Sequence, residues 1–95
     1  MIVSFKHKGL QKLWVDNNGK QLPNDMLLKI RQILYLLENL KEFPEDLLIY
    51  PNWKLHELKG DRKGTWSLTV KTNWRVTFKV KDETKFYDID FEDYH

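Results

Sequence analysis

Ninety-five residues with 41% hydrophobic and 14% aromatic content fit one folded domain with a single modest core, and exclude a disordered chain. The lack of cysteine excludes a disulfide framework, a thiolate zinc site and a cysteine nucleophile, and suits a reducing compartment such as the cytoplasm. Net charge is only +2, so any affinity for a polyanion must come from how the charge is distributed.

The chain opens on Ile2-Val3-Ser4-Phe5, a β-prone stretch that predicts a short N-terminal strand. Lys6, His7, Lys8 and Lys12 follow without the apolar run of a signal peptide, and no segment approaches the roughly 18 unbroken apolar residues of a membrane span. No membrane partner is expected. Leu10, Leu13 and Trp14 fall at helical spacing and break at Asp16-Asn17-Asn18-Gly19, predicting a first helix. Pro23-Asn24-Asp25 should start a second, with Asn24 or Asp25 as its cap and negative charge near the positive end of its dipole. Met26, Ile30, Ile33, Leu34 and Leu37 give that helix one broad apolar face, ending near Asn39 to Lys41. Such a stripe packs on a sheet rather than holding a cofactor.

From Trp53 the period changes to two. Gly60 and Gly64 bracket Asp61-Arg62-Lys63, which reads as a hairpin turn. Trp66, Leu68 and Val70 alternate with polar residues, and so do Trp74, Val76, Phe78 and Val80; Asp82-Glu83-Thr84 then turns into Phe86, Tyr87, Ile89 and Phe91. The prediction is an α+β domain over residues 1–95: a short N-terminal strand and two helices packed on one face of a twisted antiparallel sheet. The opposite sheet face carries Lys, Arg, Thr and His, and function should sit there.

Charge is segregated along this meander. Residues 54–81 hold eight Lys and Arg against two acids, and residues 82–95 hold six acids against one Lys. A polyanion-binding face kept neutral overall by its neighbour explains this. So does a sheet whose adjacent strands pair opposite charges across the ladder.

Three histidines, His7, His56 and His95, invite a metal. No HxH, HExxH or carboxylate cluster brings ligands together, and basic neighbours of His56 would repel a cation. No metal and no cofactor is expected. Neither a nucleophile elbow nor a phosphate-binding P-loop is present. RNA phosphodiester cleavage needs less. The 2′-hydroxyl already lies beside the phosphate, so the protein must move two protons and stabilise charge on the phosphorane oxygens. Imidazole, a positioned carboxylate or lysine, and the planar fork of arginine serve those ends. His56, Lys59, Arg62, Arg75, Asp93, Tyr94 and His95 offer them, and Trp53, Trp74 or Tyr94 could stack on a base at about 1–3 kcal/mol. Taken singly, each has a blander explanation: Arg75 as a cross-strand ion-pair partner, Trp66 and Trp74 as core, a terminal histidine as frayed and inert.

Together the residues say more. Trp53-Lys54-Leu55-His56-Glu57-Leu58-Lys59-Gly60-Asp61-Arg62-Lys63-Gly64-Thr65-Trp66-Ser67 resembles the central segment of HigB-type toxins, of the RelE/ParE superfamily of type II toxin–antitoxin systems. So do Asn73-Trp74-Arg75-Val76-Thr77-Phe78, the ending Asp90-Phe91-Glu92-Asp93-Tyr94-His95 and the opening Ser4-Phe5-Lys6-His7-Lys8-Gly9-Leu10. The resemblance implies a RelE-like fold and a ribosome-dependent endonuclease cutting mRNA in the decoding site, without a metal. It also implies a cognate helix-turn-helix antitoxin, and operator DNA bound only through the toxin–antitoxin complex. By position, His56, Lys59, Arg75, Asp93, Tyr94 and His95 match the family's catalytic pattern. The resemblance puts Arg75 and Lys59 on the phosphate, His95 and Asp93 in proton transfer and Tyr94 on the mRNA, with base and acid unassigned. Lys54, Arg62, Lys63 and Trp74 are the expected RNA-binding residues. Two other classes stay open: a ParE-like inhibitor of a topoisomerase that cuts nothing, and a non-enzymatic RNA-binding module.

Overall fold

The computed structural model describes residues 1–93. Four antiparallel strands form a sheet in chain order: β1 (His56–Glu57), β2 (Thr65–Lys71), β3 (Trp74–Lys81) and β4 (Lys85–Asp93). The register pairs Leu68 with Val76, Trp66 with Phe78 and Val76 with Phe91, so the alternating apolar residues share one face. Helices α1 (Lys8–Asp16) and α2 (Leu27–Asn39) cover that face. Leu10, Leu13, Ile30, Ile33, Leu34 and Leu37 join Leu68, Val76, Phe78, Phe86 and Ile89 in one core cluster. The layer arrangement is the predicted α+β one, with helices on the apolar side of the sheet.

Local chemistry explains the helix limits. Helix α1 begins at His7, whose Nδ1 accepts the Leu10 amide at 3.2 Å, and ends at Asn17 in the left-handed region (φ 54). Helix α2 departs from expectation at its start. Asn24–Met26 form a turn of 3₁₀ helix, and Met26 at the N-cap gives no side-chain bond. Asp25 instead pairs with Lys71 at the end of β2, Oδ2 to Nζ 2.5 Å. A long-range cation thus took the carboxylate that local sequence had assigned to the helix. The end of α2 at Asn39 is where the stripe predicts it.

Three further features went unforeseen. A one-turn helix, α3 (Glu45–Leu48), follows α2; the Asp46 carboxylate bonds the Lys41 and Glu42 amides at 3.0 and 3.1 Å. Beside it, Phe43 sits edge-on to Trp66, Phe78 and Phe86. Trp53 does not begin a strand. Pro51–Trp53 is a 3₁₀ turn, Trp53 stacks on Tyr50 with centroids 4.2 Å apart, and Lys54 is left-handed at φ 50. The expected long strand is therefore reduced to His56–Glu57. The N-terminal strand is likewise reduced to two parallel bridges, Ile2 to Phe86 and Phe5 to Ile89. Between them Asp88 is left-handed (φ 50), and its amide bonds the Ser4 hydroxyl at 2.9 Å instead of a backbone carbonyl. That bulge in β4 breaks the ladder the two segments could have shared.

Candidate active site

The second sheet face is polar, as predicted, and it is partly roofed. Cross-strand pairing puts His56 opposite Ser67, Ser67 opposite Thr77 and Thr77 opposite Asp90. One step along, Thr69, Arg75 and Glu92 form a second row. Ser67 and Thr77 are 1% and 2% exposed, unusual for hydroxyls on an outer face. The cover is the β1–β2 connection, which folds over the sheet through a 3₁₀ turn at Gly60–Arg62. Both flanking glycines have positive φ, 67 and 95, which a side chain rarely tolerates. The expected hairpin turn is thus a longer arch.

Arg62 anchors the arch. Its Nη1 and Nη2 donate to Glu92 Oε1 and Oε2 at 2.8 and 2.6 Å, and the Thr77 hydroxyl donates to Glu92 Oε2. These bonds, the Arg62 pair first, hold the Glu92 carboxyl below the usual carboxylate range against the opposing effect of burial. Neither Glu92 nor Thr77 was singled out in the sequence. The signal was present, because alternation along β4 puts Glu92 on the polar face, and the basic and acidic segments had ladder pairing as one explanation.

Under the arch lies a cleft of about 380 Å³. Lys6, Arg62, Lys63 and Lys79 line it together with Asp61, Asp88 and Asp90, and with Thr65 and Thr77. Lys79 and Asp88 approach to 3.8 Å. Opposite charges do pair across strands here, so the polar face is less basic than a tally of residues 54–81 suggests.

The expected site residues divide into groups. Arg62 and Lys63 line the cleft. His56 is exposed at the sheet edge, its Nδ1 2.8 Å from the Lys54 carbonyl. A carbonyl only accepts, so Nδ1 donates, and in the neutral ring Nε2 keeps its lone pair for a proton. The Lys54 carbonyl thus orients His56 while its side chain is exposed, and Lys59 is exposed at the foot of the arch. Arg75 lies two strands from His56 on the same face; strand spacing and rise give about 12 Å between their Cα atoms. Its Nη1 donates to the Thr72 and Trp74 carbonyls, and its Nε is buried with no hydrogen-bond partner among the described residues. Trp74 stacks on Phe91, centroids 4.7 Å apart and planes 12° off parallel. Asp93, exposed at the end of β4, pairs with Trp74 in the ladder, one residue beyond the Arg75–Glu92 pair. Tyr94 and His95 lie outside the described residues. His7 is occupied as the α1 cap and packs edge-on to Phe91.

Two other observations bound the chemistry. Among the described residues, no group of three or more His, Cys, Asp or Glu is placed to hold a metal ion, and no helix is long and apolar enough to cross a membrane. On the far side, α1 and α2 leave a concavity of about 760 Å³, with Trp14, Leu28 and Tyr35 at its rim; it shares no residue with the cleft.

Comparisons with known proteins fit this geometry. Residues 3–95 match the model of a family described as the RelE-like toxin of type II toxin–antitoxin system HigB. The chain is 41% identical, over the full length of both, to a Proteus vulgaris protein named Endoribonuclease HigB. Among solved structures it is similar in fold to YafQ from E. coli strain BL21(DE3), with TM-score 0.57, 18% identity, and 94% of this chain and 89% of that one covered. A YoeB/ParE toxin from Agrobacterium tumefaciens gives TM-score 0.54 and 16% identity, with 96% of each chain covered. The family model and the full-length relative agree: the chain belongs to the HigB family of RelE-like toxins of type II toxin–antitoxin systems.

Proposed function

We propose that this toxin is a ribosome-dependent, metal-independent endoribonuclease that cuts mRNA and thereby inhibits translation. The full-length likeness to a protein named Endoribonuclease HigB carries the reading. The orientation of His56 supports it, since the Lys54 carbonyl leaves Nε2 as the proton-accepting atom.

In the proposed reaction the 2′-hydroxyl of the nucleotide before the cut attacks the adjacent phosphorus as a base takes its proton. The bond to the 5′-oxygen of the next nucleotide breaks, and an acid protonates that oxygen. The products are a 2′,3′-cyclic phosphate and a free 5′-hydroxyl. His56, Asp93 and His95 are the candidates for the proton steps; Arg75 and Lys59 stabilise the phosphorane oxygens, and Tyr94 orients the mRNA. Lys54, Arg62, Lys63 and Trp74 hold the RNA backbone and bases. Because the cleft is nearly charge-balanced, the ribosome supplies much of the RNA's placement.

A type II toxin has an antitoxin partner. We assign to it the helix-turn-helix class, with operator DNA bound only through the complex, and place the free toxin in the cytoplasm on ribosomes. Primer extension on an mRNA after induction tests the activity. New 5′ ends within codons are expected; intact transcripts with stalled replication would establish a topoisomerase inhibitor instead.

A further inference from the structure

We propose that Glu92 is a positioning residue for RNA cleavage, clamping Arg62 so that the 59–64 arch presents Lys59 and Lys63 to the RNA backbone. The proposal rests on the endoribonuclease reading above.

The arch is held to the sheet by polar ties. No residue of Gly60–Arg62 is buried. A Cβ placed on Gly60 or Gly64 would meet nothing within 4 Å among the described residues, so the two flanking glycines do not themselves pack on the body. Its foot is tied by the Leu58 amide to the Thr65 carbonyl at 2.8 Å, and by the Gly64 amide to Glu57 Oε2 at 2.9 Å. Toward its crown, the tie to the far strand is the two-pronged Arg62–Glu92 bond, which joins residues thirty apart in sequence. Thr77, 2% exposed, fixes which way the carboxylate points. A planar fork on a planar carboxylate sets orientation as well as distance. The arch carries Lys59 and Lys63, both exposed. With glycines of positive φ on both sides, the arch would hold those cations less firmly without the clamp.

Two effects of Glu92 on RNA oppose each other, and their signs separate the hypotheses. As a negative charge beside a polyanion site it repels RNA, and removing it should tighten binding. As a clamp it preorganises the cations around the phosphates, and removing it should weaken binding. The surface ion pair by itself adds little to stability, so the readout is kinetic.

The test is steady-state cleavage of ribosome-bound mRNA by the purified full chain carrying Glu92→Gln, which keeps the shape and one acceptor oxygen. The expected result is a KM raised about three- to tenfold with kcat within twofold, and no further rise when Glu92→Gln is added to Arg62→Ala. Thr77→Val, which leaves both ion-pair partners in place, should raise KM in the same direction but less, and serves if Glu92→Gln melts at the assay temperature. A KM that falls or stays level in the folded variant would show Glu92 to be only a counter-charge and overturn the proposal. A fall in kcat at constant KM would place Glu92 in the chemical step and overturn it as well. If the unsubstituted protein cuts nothing, the endoribonuclease reading falls and this proposal falls with it. Cleavage indifferent to Glu92 removes this proposal alone.

Discussion

Replacing Thr77 by Val probes the centre of the polar face with little change in volume. Thr77 is 2% exposed, and its hydroxyl donates to Glu92 Oε2. A hydrogen bond to a charged acceptor contributes about 1.5–3 kcal/mol net. Two circumstances reduce that here: Glu92 keeps both bonds from Arg62, and its side chain is 21% exposed, so water can replace part of the loss. Valine's extra methyl in a buried site recovers a further fraction of its ~0.8 kcal/mol transfer term. The net destabilisation should be about 1 kcal/mol at pH 7, or a Tm lowered by roughly 4–8 °C for a domain of this size. In urea, with a slope near ~1 kcal/mol per molar, the midpoint should fall by about 1 M. The pH dependence has a definite sign. The folded carboxyl titrates below its unfolded value, chiefly because of Arg62 and secondarily Thr77. Its stabilisation is therefore fully present above the unfolded carboxylate pKa of about 4.3 and is lost as pH falls through the folded one. Thr77→Val raises the folded pKa towards ordinary, so its penalty should be largest at neutral pH and shrink below about pH 4. Urea titrations followed by tryptophan fluorescence from pH 7 to 3.5 give both numbers. A penalty constant across that range, or none at pH 7, would refute the claim that the hydroxyl acts on an ionised Glu92.

Other expectations follow from the same geometry. His56→Ala should reduce cleavage of ribosome-bound mRNA by about 10²–10⁴-fold while leaving the melting temperature within a few degrees, since His56 is exposed; cleavage within twofold of the unsubstituted protein would remove it from proton transfer. Charge reversal at Lys59 should weaken RNA association and flatten its salt dependence by about one unit of log–log slope, read by binding titrations at several salt concentrations; an unchanged slope would make Lys59 structural only. Leu37→Ala, at a fully buried position under the sheet, should cost about 2–5 kcal/mol by urea denaturation, and a loss under ~1 kcal/mol would contradict the packing of α2 described here. Deleting His95 should abolish growth inhibition in cells while leaving antitoxin capture in a pull-down intact; full toxicity of the truncated chain would retire its assignment to proton transfer.

Sequence by itself determined the layers. The 3.6-residue stripe from Met26 to Leu37 and the alternation from Trp66 to Phe91 each require a buried face. A chain this short has only one core in which to bury them, so helices on one side of an antiparallel sheet followed. The polar face followed too, as the complement of the apolar one. Membership of the HigB family was legible as well, because that match is a string of residues and needs no geometry.

Tertiary contacts decided what competes across distance. Asp25 could cap α2 or pair with Lys71, and the fold brought Lys71 within 2.5 Å. Trp53 could extend a strand or stack on Tyr50, and stacking with the left-handed Lys54 prevailed. Ile2 to Phe5 could form a full strand, but the bulge at Asp88 interrupts its partner. The same limit applies to the site. Local pattern gives Gly60 and Gly64 as a turn, yet only the folded chain shows that the turn arches over the sheet and that Arg62 finds Glu92 thirty residues away. Periodicity reports which face a side chain takes. Which partner it meets on that face depends on strand register and loop path, and those are fixed by the sum of many weak contacts rather than by any one residue.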